Sequence, residues 1–218
     1  MPSPSSFRIP VRVATGVAAL AAAIAGIAAV AAGRRYGART AEVRDTLPGD
    51  ELLTDASLVT TRAITIGAPP EQVWPWLVQM GYHRGGWYSI DALERAIGAG
   101  DFLTGGSADR VVPELQDLQV GDRVPLNDRA HLVVAQLVRP EALVLALPDG
   151  PFAWIWSFTL RTVSDEEGAL ATRLIIRTRA AARRPWLRPL LALLDAGHLV
   201  MEVVQLHRLR DRVEQARS

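Results

Sequence analysis

The stretch from Thr61 to Asp91 constrains the fold more than any other part of the chain. It begins with alternating apolar positions that end at Ile64 and Ile66, which is the pattern of a strand with one buried face. Ala68-Pro69-Pro70 then ends the strand and places a proline in the first turn of a helix. The helix carries two tryptophans and ends at Gly81. A strand, a small-Pro turn and a short apolar helix therefore open the folded domain.

This strand and turn, followed by the V-W-x-x-L pattern of Val73 to Leu77, resemble the start of the SRPBCC superfamily. Its helix-grip fold is shared by lipid-transfer START domains, birch-pollen-allergen-like proteins, polyketide cyclases and coenzyme Q-binding proteins. The resemblance extends from about Leu52 to the C-terminus. It implies an α+β domain in which a curved antiparallel sheet surrounds a long C-terminal helix and encloses a deep apolar cavity. It does not name a ligand.

The rest of the chain has the element order that this resemblance implies. A second short helix is predicted from Ala92 to Ile97, and Gly100–Ala108 is a glycine-rich candidate for a flap or an entry rim. Turn residues then delimit a series of strands before a long helix from Trp186 to Gln215, with a possible break at Pro189. The strands are predicted at Leu58–Ile66, Arg123–Leu126, Leu132–Val138, Ala142–Ala146, Ala153–Arg161 and Ala171–Arg179.

A run of 21 uncharged residues, Val13–Gly33, precedes this domain. As a helix it would span about 31 Å, which matches the hydrocarbon core of a bilayer. A cleaved signal peptide and a buried soluble helix are the alternatives. The run is long for a signal peptide, and a soluble helix would need packing partners around its whole circumference. A single transmembrane anchor fits best.

The anchor divides the chain into four regions. Residues 1–12 are rich in proline and serine and are expected to be disordered, 13–33 form the anchor, 34–56 form a juxtamembrane linker, and 57–218 form the helix-grip domain. Within the linker, a short helix from Thr40 to Arg44 is predicted. Four arginines follow the anchor and two precede it, so positive-inside bias predicts a single-pass cell-membrane protein with its C-terminal domain in the cytoplasm.

Composition excludes several classes of function. A hydrophobic fraction of 49% supports a real core, and a net charge of +1 gives no general attraction to nucleic acid. There is no cysteine, which rules out thiol catalysis and cysteine metal sites. Histidines are scattered without metal-binding spacing, so no metal or other cofactor is expected. The oligomeric state is left open.

Two elements offer apolar faces for a cavity. Trp154, Trp156, Phe158 and Leu160 share one face of a strand, which forms either a cavity wall or a packed aromatic core. On the long helix, an apolar arc is expected to lie across the sheet, while a polar arc containing Asp195, Glu202 and Gln205 is expected to face solvent. His198 lies near the polar arc and is expected to be a solvated partner of these acids. The apolar arc comprises Leu193, Leu194, Gly197, Val200, Met201, Val203 and Val204.

The candidate site residues follow from these faces and from the resemblance. Glu114 is a possible polar anchor in an apolar pocket, or an edge residue paired with Arg110. Tyr88, Glu114 and His83 are weak candidates for an acid or base. The predicted ligand-binding residues are Trp74, Trp76, Trp87, Tyr88, Glu114, Trp154, Trp156, Phe158 and Met201.

The function expected from the sequence is binding, or short-range transfer, of a hydrophobic small molecule by a membrane-anchored protein. A lipid, a quinone and a polyketide-like compound all suit an apolar cavity. A cyclase/aromatase- or hydrolase-like enzyme using the same cavity is the first alternative. An interaction module with a filled interior is the second.

Overall fold

A computed structural model describes residues 26, 28–96, 98, 106–147, 149–165 and 167–216. The predicted disordered segment 1–12, most of the predicted anchor 13–33 and residues 100–105 of the predicted flap lie outside the described residues. Residues 28–33, at the end of the predicted anchor, are helical.

Six antiparallel strands form one sheet in the order β1-β6-β5-β4-β3-β2. Strands β2 to β6 form a meander, and β1 pairs with β6 along its whole length, from Leu58 opposite Ala180 to Ile66 opposite Thr172. The strands are β1 (Leu58–Ile66), β2 (Arg123–Pro125), β3 (His131–Val138), β4 (Ala142–Leu147), β5 (Phe152–Ser164) and β6 (Leu170–Ala182).

After the helical residues 28–33, the described part of the chain contains α1 (Thr40–Arg44), α2 (Pro70–Val78), α3 (Asp91–Ala96) and α4 (Arg188–Gln215). Short 3₁₀ turns lie at Asp50–Leu53, Pro113–Leu115 and Pro185–Leu187. The last of these leads into α4, so the break expected at the start of the long helix is a change from 3₁₀ to α geometry. Helix α2 continues through Pro75, which lies inside it and removes one backbone hydrogen bond.

The α+β class, the antiparallel sheet and the long C-terminal helix are confirmed. Strand alternation, turn residues and helix ends are local signals, and they place each element within a few residues of its observed bounds. The transmembrane helix before the domain stays a prediction.

The largest core cluster lies between the sheet, α2 and the C-terminal half of α4. Ile64 and Ile66 of β1 pack there with Leu206 and Leu209 of α4, and Trp76 of α2 is almost completely buried. We call the sheet face that meets α4 the inner face. Because strand side chains alternate, Phe158 and Leu160 of β5 share it.

Residues 34–56, predicted to be a linker, lie against the opposite, outer face of the sheet. Leu47 packs on Ala63 and Ile175 there. Arg173 and Arg177 of β6 hold the segment, the first by pairing with Glu42 at 2.7 Å and the second by donating to three of its carbonyl groups. The segment is therefore part of the packed unit.

The same segment covers the free edge of β1. The backbone N–H groups of Thr61 and Ala63 donate to the carbonyl oxygens of Arg34 and Tyr36, at 2.8 and 3.0 Å. Unpaired strand edges invite association with other chains, and this pairing protects the edge. Gly37 follows with φ +66°, and a Cβ atom on it would lie 2.1 Å from the Ala63 oxygen.

Among the described residues, one helix is long and apolar enough to cross a membrane by length and composition, namely Pro185–Gln215. A core helix passes the same test. Asp195, Glu202 and Gln205 of this helix are buried against the rest of the domain, so we treat it as a helix of the fold.

Candidate functional site

A cavity of about 450 Å³ lies between the N-terminal half of α4 and one end of the sheet. Its volume is within the range of about 300–1,000 Å³ that is usual for small-molecule sites. The sheet side is formed by three leucines and three aromatic residues: Leu126, Leu132, Leu147, Phe152, Trp154 and Trp156. Trp87, Ser89 and Leu93, from the region around α3, close a further side. Most of the wall is apolar.

The aromatic face of β5 is both a cavity wall and a packed core. Trp154 and Trp156 line the cavity, whereas Phe158 and Leu160 lie further along the strand inside the core. Trp156 contacts both regions, because its ring stacks on Trp87 with centroids 5.4 Å apart and packs against Phe158 at 4.9 Å. The cavity-wall interpretation is thus correct for Trp154 and Trp156, and the packed-core interpretation is correct for Phe158 and Leu160.

The prediction for the faces of the long helix is wrong for its polar residues, whereas Leu193, Leu194, Gly197 and Met201 of the predicted apolar arc do line the cavity. Asp195, Glu202 and Gln205, expected in solvent, are each 1% exposed, whereas Leu193 is 69% exposed. The physical reason is Arg62, which lies beside Ile64 on the inner face of β1. Its side chain has no exposed surface. A buried cation requires a carboxylate partner, so α4 turns its acids towards the sheet.

Glu202 is the centre of a buried polar network at the edge of the cavity. Arg62 donates to Oε2 of Glu202, and the indole Nε1 of Trp156 donates to Oε1 at 2.7 Å. Asp195 lies 3.7 Å from Arg62 and accepts from Arg34 at 2.8 Å. The network links the cavity wall to the segment that enters the domain at Arg34.

His198 lines the cavity beside this network. Its ring makes edge contacts with Trp154 and Trp156, and its Nε2 lies 3.9 Å from Oε1 of Glu202. Burial lowers the pKa of His198, although Glu202 opposes the shift. The imidazole is therefore neutral near pH 7 and can accept or donate a proton.

Three buried polar atoms on the cavity-lining residues have no hydrogen-bond partner among the described residues. They are Oε1 of Gln205, Oγ of Ser89 and Nε1 of Trp87. The amide nitrogen of Gln205 is used, since it donates to the Trp87 carbonyl oxygen at 2.8 Å. These three atoms are themselves buried, so they lie behind the apolar wall of the cavity.

Of the predicted ligand-binding residues, the structure brings Trp87, Trp154, Trp156 and Met201 together around the cavity. Trp74, Trp76 and Phe158 are buried in the adjoining core. Tyr88 is also buried there, and its hydroxyl accepts from Gln79 at 2.7 Å. Burial raises the pKa of Tyr88, which keeps it protonated.

Two of the acid–base candidates lie away from the cavity. Glu114 is exposed on a 3₁₀ turn, and His83 is exposed with its Nε2 3.9 Å from Asp128. The sequence patterns did not indicate that His198, Ser89, Gln205 or Glu202 belong to the site. Arg62 was the signal that could have indicated the buried acids. An arginine at an inward position of a strand requires a carboxylate partner, and the helix packed on that face of the sheet supplies it.

The mouth of the cavity carries exposed apolar side chains. Leu193 and Leu194 line the cavity and are 69% and 42% exposed, and Trp186 and Leu190 precede them at 67% and 44%. We call Trp186, Leu190, Leu193 and Leu194 the mouth patch. Exposed arginines lie close by in sequence, and one of them, Arg184, places its guanidinium 5.1 Å from the Trp186 ring centre. No Asp or Glu occurs from 168 to 194.

Metal binding finds no support in the described ranges, which contain no group of three or more His, Cys, Asp or Glu residues suited to an ion.

Comparisons with known proteins give structural likeness only. No protein-family model matches the chain, and no curated protein does. Among solved structures, protein Ms6760 from Mycobacterium smegmatis is 16% identical, with a TM-score of 0.41, over 73% of this chain and 93% of its own.

DynU16, a protein of the dynemicin biosynthetic locus, is 18% identical with a TM-score of 0.38, over 69% of this chain and 46% of its own. The match thus spans about half the length of that protein. CalU16 from Micromonospora echinospora is 14% identical with a TM-score of 0.34, over 73% of this chain and 88% of its own. Likeness of this extent transfers no activity.

Proposed function

We propose that this protein is a membrane-anchored, SRPBCC-like helix-grip protein that binds a hydrophobic small molecule and exchanges it with the bilayer. The observation that carries the proposal is the position of Leu193 and Leu194, which line the cavity and are also exposed at its mouth. An apolar molecule that leaves a bilayer at the mouth patch would enter the cavity without crossing water. The open cavity disfavours an interaction module with a filled interior.

Selectivity in this proposal comes from the shape of the cavity. Apolar burial is worth about 25 cal/mol per Å² relative to water, but a lipid-soluble molecule is already out of water in the bilayer. Net transfer into the protein therefore depends on how closely the molecule fits the tryptophan walls.

The position at which the N-terminal segment meets the domain supports the proposal that the mouth patch faces a membrane. A Cβ atom on Gly33 would lie 2.5 Å from the Leu199 side chain, and Arg34 pairs with Asp195, so the segment arrives at the same helix that bears the mouth patch. Proposed as a single transmembrane helix, Val13–Gly33 would hold the patch near the bilayer. The arginines near Trp186 would suit anionic lipid headgroups.

The membrane-contact step is tested with single cysteines, which the cysteine-free chain allows. The full chain carrying Leu190→Cys is spin-labelled and reconstituted into anionic vesicles, with Val138→Cys as the control because Val138 is 50% exposed on a β-strand. We expect the label at 190 to be relaxed by oxygen and shielded from a water-soluble nickel chelate, and the label at 138 to show the reverse. Equal access of the chelate to both sites contradicts membrane contact. Shielding of site 190 from both reagents would mean that protein covers the patch.

Acid–base catalysis in the same cavity is a second candidate, favoured by the neutral His198 next to Glu202. A ketone bound there could lose an α-proton to the imidazole and regain a deuteron from heavy water. We expect this exchange, followed by mass spectrometry of 2-decanone, to stop in His198→Gln while binding persists. Equal exchange by wild type and variant, or none by either, removes the catalytic candidate.

A further inference from the structure

Helix α3 and the residues just before it form one side of the cavity opening. Trp87, Ser89 and Leu93 line the cavity, and Leu93 is also 37% exposed, so its side chain lies where the cavity meets solvent. We call residues 87–96 the lip. A movement of the lip would change the width of the opening through which a ligand passes.

One buried carboxyl group holds the lip together. Glu94 of α3 has no exposed surface, and its Oε1 accepts from the backbone N–H of Ser89 at 3.0 Å. Its Oε2 is also buried and has no hydrogen-bond partner among the described residues. Because an ionised carboxylate with an unpaired buried oxygen is unfavourable, the closed lip favours the protonated carboxyl group.

The charges that act on Glu94 oppose each other. Asp91 of the same helix disfavours its ionisation, whereas Arg208 of α4 favours it. Arg208 is shared, because its guanidinium also lies 3.6 Å from the Asp91 carboxylate. Arg95, the remaining charged residue of α3, is exposed, and the adjoining residues 106–108 have no charged side chain. Burial is the largest influence, and it raises the pKa of Glu94 to about 7.

The lip also contains a strained residue. Tyr88 has φ +58°, in the left-handed region that residues with a Cβ atom rarely adopt. Its hydroxyl is fixed by Gln79 at 2.7 Å, and the next residue, Ser89, is held by Glu94. Strained backbone persists only where the surrounding contacts hold it, so release of Ser89 would let this part of the lip relax.

We propose that the lip is closed while the Glu94 carboxyl group is protonated and opens when this group loses its proton, which speeds the entry and release of the ligand. In the open lip the carboxyl group is solvated and ionises in its ordinary range. The equilibrium therefore shifts towards the open lip as the pH rises from 4.5 to about 7. This inference rests on the proposed function, because it describes how the same cavity admits its ligand.

The exchange rate of an uncharged ligand tests it. The full chain in nanodiscs is mixed with vesicles that carry 1-bromodecane, and the rate of tryptophan quenching is measured from pH 5 to pH 8. We expect the wild-type rate to rise at least about tenfold and to level off above pH 7. Glu94→Gln should show one rate at every pH, because the amide is neutral and still accepts from Ser89. The exposed Glu141→Gln is the control and should follow the wild type.

A second variant serves if Glu94→Gln does not fold. Asp91→Asn removes the negative charge beside Glu94, so it should move the midpoint of the wild-type rise to lower pH. If the wild-type rate is the same at pH 5 and pH 8, or if either variant keeps the wild-type profile, the role of Glu94 is wrong while a hydrophobic ligand site remains. If the wild type shows no saturable quenching at any pH, the proposed function itself fails.

Discussion

Arg62 and Glu202 form an ion pair in which neither side chain is exposed to solvent. The pair joins β1 to α4 across the inner face of the sheet, and Glu202 also accepts from the indole of Trp156 in the cavity wall. Because a buried charge is stable only when it is compensated, this pair fixes the rotation of α4 about its axis. That rotation determines which side chains of the helix face the cavity.

Removing one partner of this pair should destabilise the fold strongly. We expect Arg62→Met to lower the free energy of unfolding by about 3–5 kcal/mol, since Glu202 would be left charged and buried. The double variant Arg62→Met/Glu202→Gln should recover part of the loss, because the amide is neutral and still accepts from Trp156. Urea unfolding followed by circular dichroism measures both. Arg161→Met is the control, because its pair with Asp45 is exposed and worth about 0–1 kcal/mol. Similar losses for Arg62→Met and Arg161→Met would contradict the role of the buried pair.

The close contact at Gly37 predicts that the segment before β1 stabilises the domain. Gly37→Ala should reduce stability through its positive φ and through the clash with the Ala63 oxygen. Gly121→Ala is matched to it, because Gly121 also has positive φ but an added Cβ would meet nothing within 4 Å. We expect about 1–2 kcal/mol from the control and a further ~1–3 kcal/mol from Gly37→Ala. Equal losses in thermal unfolding would mean that the segment is not packed on β1.

The pH dependence of stability should contain a contribution from Glu94. Burial raises the pKa of this carboxyl from 4.5 to about 7 in the folded protein, and Ser89 holds one oxygen through its backbone N–H. The folded state then retains a proton that the unfolded state loses, so the Glu94 contribution falls as pH rises from 4.5 to about 7.

The free energy of unfolding of Glu94→Gln, taken relative to wild type, should therefore rise by about 1–3 kcal/mol when the pH is raised from 5 to 8. The exposed Glu141→Gln is the control and should show no such trend. Chemical unfolding at pH 5 and pH 8 measures these free energies. If the stability difference between wild type and Glu94→Gln is the same at both pH values, the raised pKa of Glu94 is contradicted.

The sequence was sufficient to predict where the strands and helices lie along the chain. It was not sufficient to predict which side of α4 faces the sheet. Local alternation and turn residues placed β5 and α4 correctly. The apolar arc of α4 was assigned to the sheet because a helix usually buries its apolar side, but the partner of Arg62 lies 140 residues away in sequence. A contact of that separation has no local signature.

Only part of the candidate site was predicted, because contacts between residues distant in sequence have no local signature. Trp87, Trp154 and Trp156 were found because large aromatics on an inward face identify themselves by type and spacing. His198 lines the cavity because α4 turns its acids towards the sheet, which its place near the polar arc did not indicate. Ser89 also lines the cavity, and no local pattern marked it. The packing of residues 34–56 was also missed, since it depends on the arginines of β6.

Membrane topology is the subject of a further prediction. With Val13–Gly33 as a single span and most flanking arginines after it, the domain should lie in the cytoplasm. A phosphatase that is active only outside the cytoplasm, fused after Ser218, should show no activity, whereas the same fusion to a known exported chain provides the positive control. Strong activity would overturn the orientation, and recovery of the full-length protein in the soluble fraction would overturn the anchor.

Filling the cavity tests the central claim most directly. Gly197 lines the cavity, and an added Cβ would meet nothing within 4 Å, so Gly197→Leu should occupy ligand space without disturbing the fold. Leucine also has a helix propensity about 1 kcal/mol better than glycine. Ala192→Leu adds a similar side chain to an exposed position of the same helix that does not line the cavity.

The measurement is saturable quenching of tryptophan fluorescence by a brominated long-chain alcohol, with the full-length proteins in identical nanodiscs. We expect wild type and Ala192→Leu to bind alike and Gly197→Leu to lose binding while melting at or above the wild-type temperature. Identical quenching curves for all three proteins, or no saturable quenching of the wild type, would contradict a ligand-binding cavity between α4 and the tryptophan face of β5.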